Sequence, residues 1–241
     1  MAAPSAGSLL AAWEAGLAES PLDRAPLLLR SLAVSGESRD PAAMTVGECD
    51  RGLLGLRQLL FGTDLEAVGR CPRCRQEAEF QVQLAAIEPP DGAPAVTIEA
   101  HGYQMTCRLP TNADLGHVAS LGTAAGAADL LQRCLISSEG PDGQVISGDV
   151  IPPEVADAAL RALAEEDPGA EIRLMLECPE CGARWQELLD IRAVLWAELT
   201  EWAHGVLSEI HALATCYGWS ELDILGLSAW RRRYYLEACG W

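Results

Sequence analysis

Two short cysteine motifs constrain this chain more than any other feature: Cys71-Pro-Arg-Cys74 and Cys178-Pro-Glu-Cys181. They share a setting. Leu65 to Arg70 reads as a strand leading into the first, and Glu77 to Leu84 as a strand leading out. Ile172 to Glu177 and Arg184 to Ile191 do the same around the second. A two-residue gap lets both thiolates of a knuckle reach one tetrahedral ion, so two knuckles supply four ligands. The expectation is one structural zinc per chain, held by Cys71, Cys74, Cys178 and Cys181. Such a site is closed and leaves no position for water or substrate.

Other readings of the same cysteines remain open at this level. They could be four ordinary buried thiols, or a disulfide within each pair. An iron–sulfur cluster fits the same spacing. A redox C-x-x-C expects one pair at a helix start beside a strand, whereas both pairs here lie between strand-like segments.

The knuckles lie more than a hundred residues apart, too far for a structureless loop in a compact domain. The stretch between them must fold. Val96 to Leu109 reads as a hairpin around His101-Gly102. Ala113 to Leu121, Ala124 to Ser137 and Pro152 to Glu166 read as helices, and Ser138 to Gly143 as a turn-rich loop. The expected fold is α+β: a split Cys₄ zinc ribbon (64–90 and 170–190) clamping an inserted α/β subdomain (91–169). A helical region (1–63) precedes it and another (191–241) follows.

In the first region, Leu9, Leu10, Trp13 and Leu17 fall at helical spacing, and Pro21 suits the first position of a second helix. Ser35 to Ala43 reads as a loop. Thr45 to Phe61 reads as a helix ended by Gly62. In the last region, Ile191, Leu195, Leu199, Trp202, Val206, Ile210 and Leu213 form one apolar stripe. Gly218 should stop that helix. Ser220 with Asp223 resembles a capping box, and Ser228 can cap a final helix.

Net charge is −18, and lysine is absent, so all 17 basic residues are arginine. That balance opposes general nucleic-acid binding, which depends on neutralising phosphates. No apolar run approaches the ~18 residues of a membrane span, and Met1 to Leu10 lacks the pattern of a secretory signal. Nine cysteines without dense spacing suit a reducing cytosol. His101, His117, His204 and His211 form no catalytic metal motif, and no nucleophile elbow, phosphate loop or dinucleotide fingerprint is present. Catalysis is therefore not expected. Cys49, Cys107, Cys134, Cys216 and Cys239 read as core packing. Trp185, four residues past the last ligand, could cover and dry the metal site.

Residues 217–235 concentrate Tyr217, Trp219, Trp230, Tyr234 and Tyr235 beside Arg231, Arg232 and Arg233. Aromatic and arginine side chains anchor protein interfaces most often. Tyr217, Trp219, Trp230, Arg231, Arg232 and Tyr234 are accordingly the candidate partner-binding residues; the opposing possibility is that these rings fold back on the long helix as core.

The run Leu207 to Leu236 carries a helix, then Tyr217-Gly-Trp219, an acidic helix with Ile224-Leu225, and an arginine-rich tail ending Tyr234-Tyr-Leu236. It is similar to the end of small proteins encoded with contractile phage tails and phage-tail-like injection systems. Tyr103 to Leu115, leading later to the C-P-E-C-G knuckle, resembles the baseplate hub assembly family of T-even-like phages. The resemblance spans roughly residues 64–241, and the helices around Ser20 to Arg24 look like the longer versions found with injection-system clusters. It implies a non-enzymatic bacterial cytoplasmic protein that helps build a baseplate or its hub, as a chaperone or as part of the particle. Its partners would be baseplate, hub or tail proteins, with no nucleic acid, membrane or small-molecule substrate. The rival readings are a zinc-ribbon adaptor acting on transcription, which requires a basic stripe, and a metalloenzyme, which requires an open metal position.

Overall fold

The computed structural model describes residues 4–32, 40–87, 90–121 and 123–241. Part of the expected loop at Ser35 to Ala43, and the Glu88-Pro89 stretch expected to close the first ribbon half, lie outside the described residues. Two apolar cores organise the chain. The larger gathers α1 (Ala6–Leu17), α2 (Pro21–Ser31), α3 (Val46–Phe61), α7 (Ile191–Tyr217), α8 (Glu221–Leu225) and α9 (Ala229–Ala238). The smaller is built by the central segment: a sheet of β3 (Val96–Ala100), β4 (Tyr103–Cys107) and β5 (Leu135–Glu139), with α5 (Thr123–Cys134) and α6 (Pro153–Glu165) against it. The α4 helix (Asn112–Val118) connects β4 to α5.

Local chemistry sets most helix ends. Ser20 caps α2 with Pro21 at the first turn. Thr45 and Glu48 form a capping box on α3, and Gly62 at φ 87° ends it. Asp190 caps α7, and Gly218 at φ 67° closes it in the left-handed conformation. Ser220 with Asp223 forms the anticipated box on α8, and Ser228 caps α9. Along α7 the buried line runs Ile191, Leu195, Leu199, Ala203, Val206, Ile210, Leu213. Ala203 takes the place expected for Trp202, whose large ring packs at the edge of the core.

The hairpin at Val96 to Leu109 forms, with His101 at φ 52° and Gly102 at φ 81° making its two-residue turn. The helix expected over Ala124 to Ser137 stops at Cys134. Leu135 to Glu139 becomes β5 and pairs with β4, so Ser138 and Glu139 belong to the sheet rather than to a loop. The cause is non-local: the outer edge of β4 needs a partner for its backbone groups, and the apolar run after α5 supplies one. Ser138 is buried there, donating to the Ile146 carbonyl at 2.9 Å. The α4 helix ends at Val118, short of Leu121, and the strand after the second knuckle ends at Leu188, short of Ile191.

The central segment docks on the N-terminal end of α3. The Val46 N–H donates to the Pro110 carbonyl (3.3 Å) and the Asn112 N–H to the Met44 carbonyl (3.2 Å). Arg192 of α7 bonds Asp50 (2.6 Å) and Asn112 (2.8 Å), tying three helices together. Asp167 accepts from the Gly47 N–H at 2.9 Å. Gly47 and Gly169 pass so closely that a Cβ on Gly169 would lie 2.8 Å from the Gly47 carbonyl oxygen. Among the described residues, no helix is long and apolar enough to cross a membrane.

Candidate metal centre

The two knuckles are the tips of two antiparallel hairpins. In the first, β1 (Asp64–Arg70) pairs with β2 (Glu77–Gln83), from Asp64 opposite Gln83 to Arg70 opposite Glu77. In the second, β6 (Arg173–Glu177) pairs with β7 (Arg184–Leu188), from Arg173 opposite Leu188 to Glu177 opposite Arg184. The turns follow one pattern. The Cys71 N–H donates to the Gln76 carbonyl and the Arg75 N–H to the Cys71 carbonyl. The Cys178 N–H donates to the Ala183 carbonyl and the Gly182 N–H to the Cys178 carbonyl. The fourth residue after each leading cysteine is left-handed: Arg75 at φ 62° and Gly182 at φ 65°. Glycine adopts that geometry freely and arginine with strain.

The hairpins meet tip to tip. Sγ of Cys71 lies 3.7 Å from that of Cys181, and Sγ of Cys74 lies 3.6 Å from that of Cys178. All four sulfurs fall within 4.8 Å of one another. Four thiolates around one tetrahedral ion at the zinc–sulfur distance would be separated by about 3.8 Å, so the cluster can hold a single metal ion. The core of a multi-iron cluster would hold its ligating sulfurs further apart. All four are free thiols, and the short contacts run between knuckles rather than within them. Cys71 and Cys178 are buried, while Cys74 and Cys181 face partly outward. Hydrogen bonding from the Cys74 backbone draws the Cys71 thiol down to about 6. The Gln76 backbone pulls Cys74 the same way, but burial and the neighbouring sulfurs push it up to about 12.

A second contact joins the hairpins. Phe80 of β2 and Trp185 of β7 pack edge to face at 5.6 Å. Trp185 thus packs on the ring of the opposite hairpin. Gly69 leaves room for this, since a Cβ there would sit 3.1 Å from the Phe80 ring and 3.5 Å from Leu176.

The other cysteines divide. Cys49, Cys107 and Cys134 are buried, and burial pushes each thiol up to about 11, as expected of core packing. Cys216 is exposed and Cys239 only half-buried, so neither is core. They are neighbours at the junction of α7 and α9, where a hydrogen bond with Cys216 raises the Cys239 thiol. His204 stacks edge to face on Trp13 at 5.5 Å, and His117 lies 3.6 Å from Asp129.

The candidate partner-binding residues separate by depth. Tyr217, Trp219 and Tyr235 pack on one another at 4.6–5.8 Å, and Tyr217 donates its hydroxyl to the Tyr235 carbonyl. Trp219 and Tyr235 also touch the larger core. Trp230 and Tyr234 stack at 6.0 Å on the outer face of α9 and are 74% and 57% exposed. Arg231 is exposed. Arg232 departs from the expectation: it is buried, bonding Glu209 at 2.9 Å and the Leu227 carbonyl at 2.9 Å. One turn of α9 points each third or fourth residue inward, and Arg232 shares the inner side with Leu236. Sequence reasoning also missed the pairing of buried Arg57 with half-buried Glu198, bonded at 2.6 and 2.9 Å between α3 and α7. Among local signals, only the isolated arginine within an apolar helical stripe hinted at it.

No protein-family model, no curated protein and no solved structure matches this chain.

Proposed function

We propose that this protein is a non-enzymatic assembly factor of a contractile-tail or injection-system baseplate, acting through protein–protein contacts and held together by one structural zinc. The zinc would be held by Cys71, Cys74, Cys178 and Cys181. It would neutralise their thiolates and lock the two hairpins together, with all four positions filled and none left for substrate. The observation that carries the contact role is the exposed Trp230–Tyr234 stack. Its helix is pinned from beneath by buried Arg232, paired with half-buried Glu209, so two large rings are presented on a rigid support. The baseplate identity rests on the sequence resemblance across residues 64–241, and the cytoplasmic setting on cysteine usage. The strong negative charge supports a protein partner over nucleic acid.

The test is co-expression with the tail and baseplate proteins encoded beside it, comparing wild type with a Trp230→Ser/Tyr234→Ser double variant. The variant should melt like wild type and fail to co-purify with a baseplate component. A double variant that assembles as well as wild type would remove this surface from the mechanism. Elemental analysis should return one zinc per chain. Submicromolar binding to duplex DNA at physiological salt would instead favour the transcriptional adaptor.

A further inference from the structure

The chain carries −18 overall, yet the tip of its first hairpin is basic. Arg70, Arg73 and Arg75 cluster around the leading knuckle, and all three are exposed. Most described arginines pair with a carboxylate, whereas these three form no ion pair among the described residues. Arg70 stands opposite Glu77 across the hairpin, but its Nε donates to the Arg75 carbonyl at 3.1 Å. The guanidinium thus turns toward a second arginine and leaves the adjacent carboxylate unused. Like charges gathered at one spot repel, and an anion between them removes that cost.

The cysteine turn itself does not require this charge. At the matching positions the second knuckle holds Glu177, Glu180 and Gly182. Arg75 also adopts φ 62° where Gly182 sits at φ 65°. Glycine takes that geometry freely and arginine with strain. A strained residue that the turn does not need points to a contact outside the chain.

We propose that the tip of the first hairpin docks an acidic segment of a partner protein, whose carboxylates are taken by Arg70, Arg73 and Arg75. A guanidinium fork matches a carboxylate and holds both its oxygens. An extended polyphosphate fits worse. The same face of the hairpin carries exposed Glu66, Glu77 and Glu79, and a duplex lying along it meets them. A short acidic segment meets the tip alone. This surface is on a different element from the Trp230–Tyr234 stack, and it stands whether or not that stack contacts a baseplate component.

The probe is a short fluorescein-labelled peptide of alternating glutamate and serine, titrated into full-length protein at low ionic strength and followed by fluorescence polarisation. A peptide with glutamine in place of glutamate and a short DNA duplex are the comparisons. The glutamate peptide should bind saturably, at least tenfold tighter than either. An exposed arginine–carboxylate pair is worth about twofold to fivefold in affinity. The triple variant Arg70→Gln/Arg73→Gln/Arg75→Gly should therefore weaken binding at least fivefold. Arg161→Gln and Arg231→Gln remove the same charge from exposed, unpaired arginines elsewhere among the described residues, and should bind within twofold of wild type. In wild type, NMR of the arginine Nε–Hε groups should show shifts at Arg70, Arg73 and Arg75. A loss under fivefold in the triple variant overturns the proposal. So does an equal loss in Arg161→Gln or Arg231→Gln, which would make the effect one of net charge. Duplex DNA binding as tightly as the glutamate peptide overturns the choice of partner. Should the triple variant fail to fold, the wild-type signals decide, and shifts confined to other arginines overturn the proposal.

Discussion

Replacing Cys178 by serine should destabilise the whole molecule, because the cysteine cluster joins segments far apart in the chain. Cys74 and Cys178 are 104 positions apart and their sulfurs 3.6 Å apart. A cross-link closing a loop of that length removes about 4.7 kcal/mol of unfolded-chain entropy. For 241 residues, at about 2.1 cal/mol/K each, the unfolding entropy is about 500 cal/mol/K. The melting temperature should therefore fall by about 9 °C. Differential scanning calorimetry would compare wild type, chelator-treated wild type, Cys178→Ser and Cys74→Ser. The last three should fall together, because the zinc proposed above would no longer link the hairpins once one of its four thiolates is lost. Cys216→Ser, at an exposed thiol outside the cluster, should melt like wild type. The reasoning is refuted if Cys178→Ser melts within about 3 °C of wild type, well short of the entropy of such a loop. It is equally refuted if hydrogen exchange shows lost protection confined to β6 and β7, since a long-range link must loosen both hairpins.

Three further outcomes follow from particular contacts. Gly47→Ala should cost about 2 kcal/mol in chemical denaturation, because its Cβ would sit 2.0 Å from Asp167 Oδ1 and 2.9 Å from the Ala170 amide. Gly182→Ala should lose about 1 kcal/mol at its left-handed position, while Arg75→Gly at the matching site of the other knuckle should be neutral or stabilising. Burial pushes the Asp114 carboxyl up, but Arg108, Thr111 and Arg133 outweigh it and hold it well below the usual carboxylate range. A depressed carboxyl contributes stability above its unfolded pKa of about 4 and loses it as pH falls. Denaturation of Asp114→Asn should thus differ most from wild type near neutral pH and converge with it in acid.

Much of this architecture was legible because its signals are local. The knuckles announced two hairpins, since a C-P-x-C turn flanked by strand residues has few other ways to fold. Thr45, Gly62, Gly218, Ser220 and Ser228 marked helix ends, because caps answer backbone needs within four residues. The apolar stripe of α7 marked a buried helix. Where the readings failed, the deciding partner was remote. Leu135 to Glu139 left the helical pattern because β4 offered it a ladder. Arg232 turned inward because Glu209, 23 positions away, lies on the facing helix.

The sequence alone marked the four cysteines that could hold one ion, by spacing two thiols twice, and it determined the helical frame on either side. The tertiary structure decided that the two knuckles meet, bringing Cys71 to Cys181 and Cys74 to Cys178 across more than a hundred residues of chain. It also decided where the central segment docks, on the exposed amides at the start of α3, and which rings of the last helices stay outside. These outcomes depend on surfaces that exist only once both hairpins and α7 are in place. Spacing along a chain encodes local reach, whereas contact between distant segments is settled by which packing buries the most apolar surface while satisfying every buried polar group it encloses.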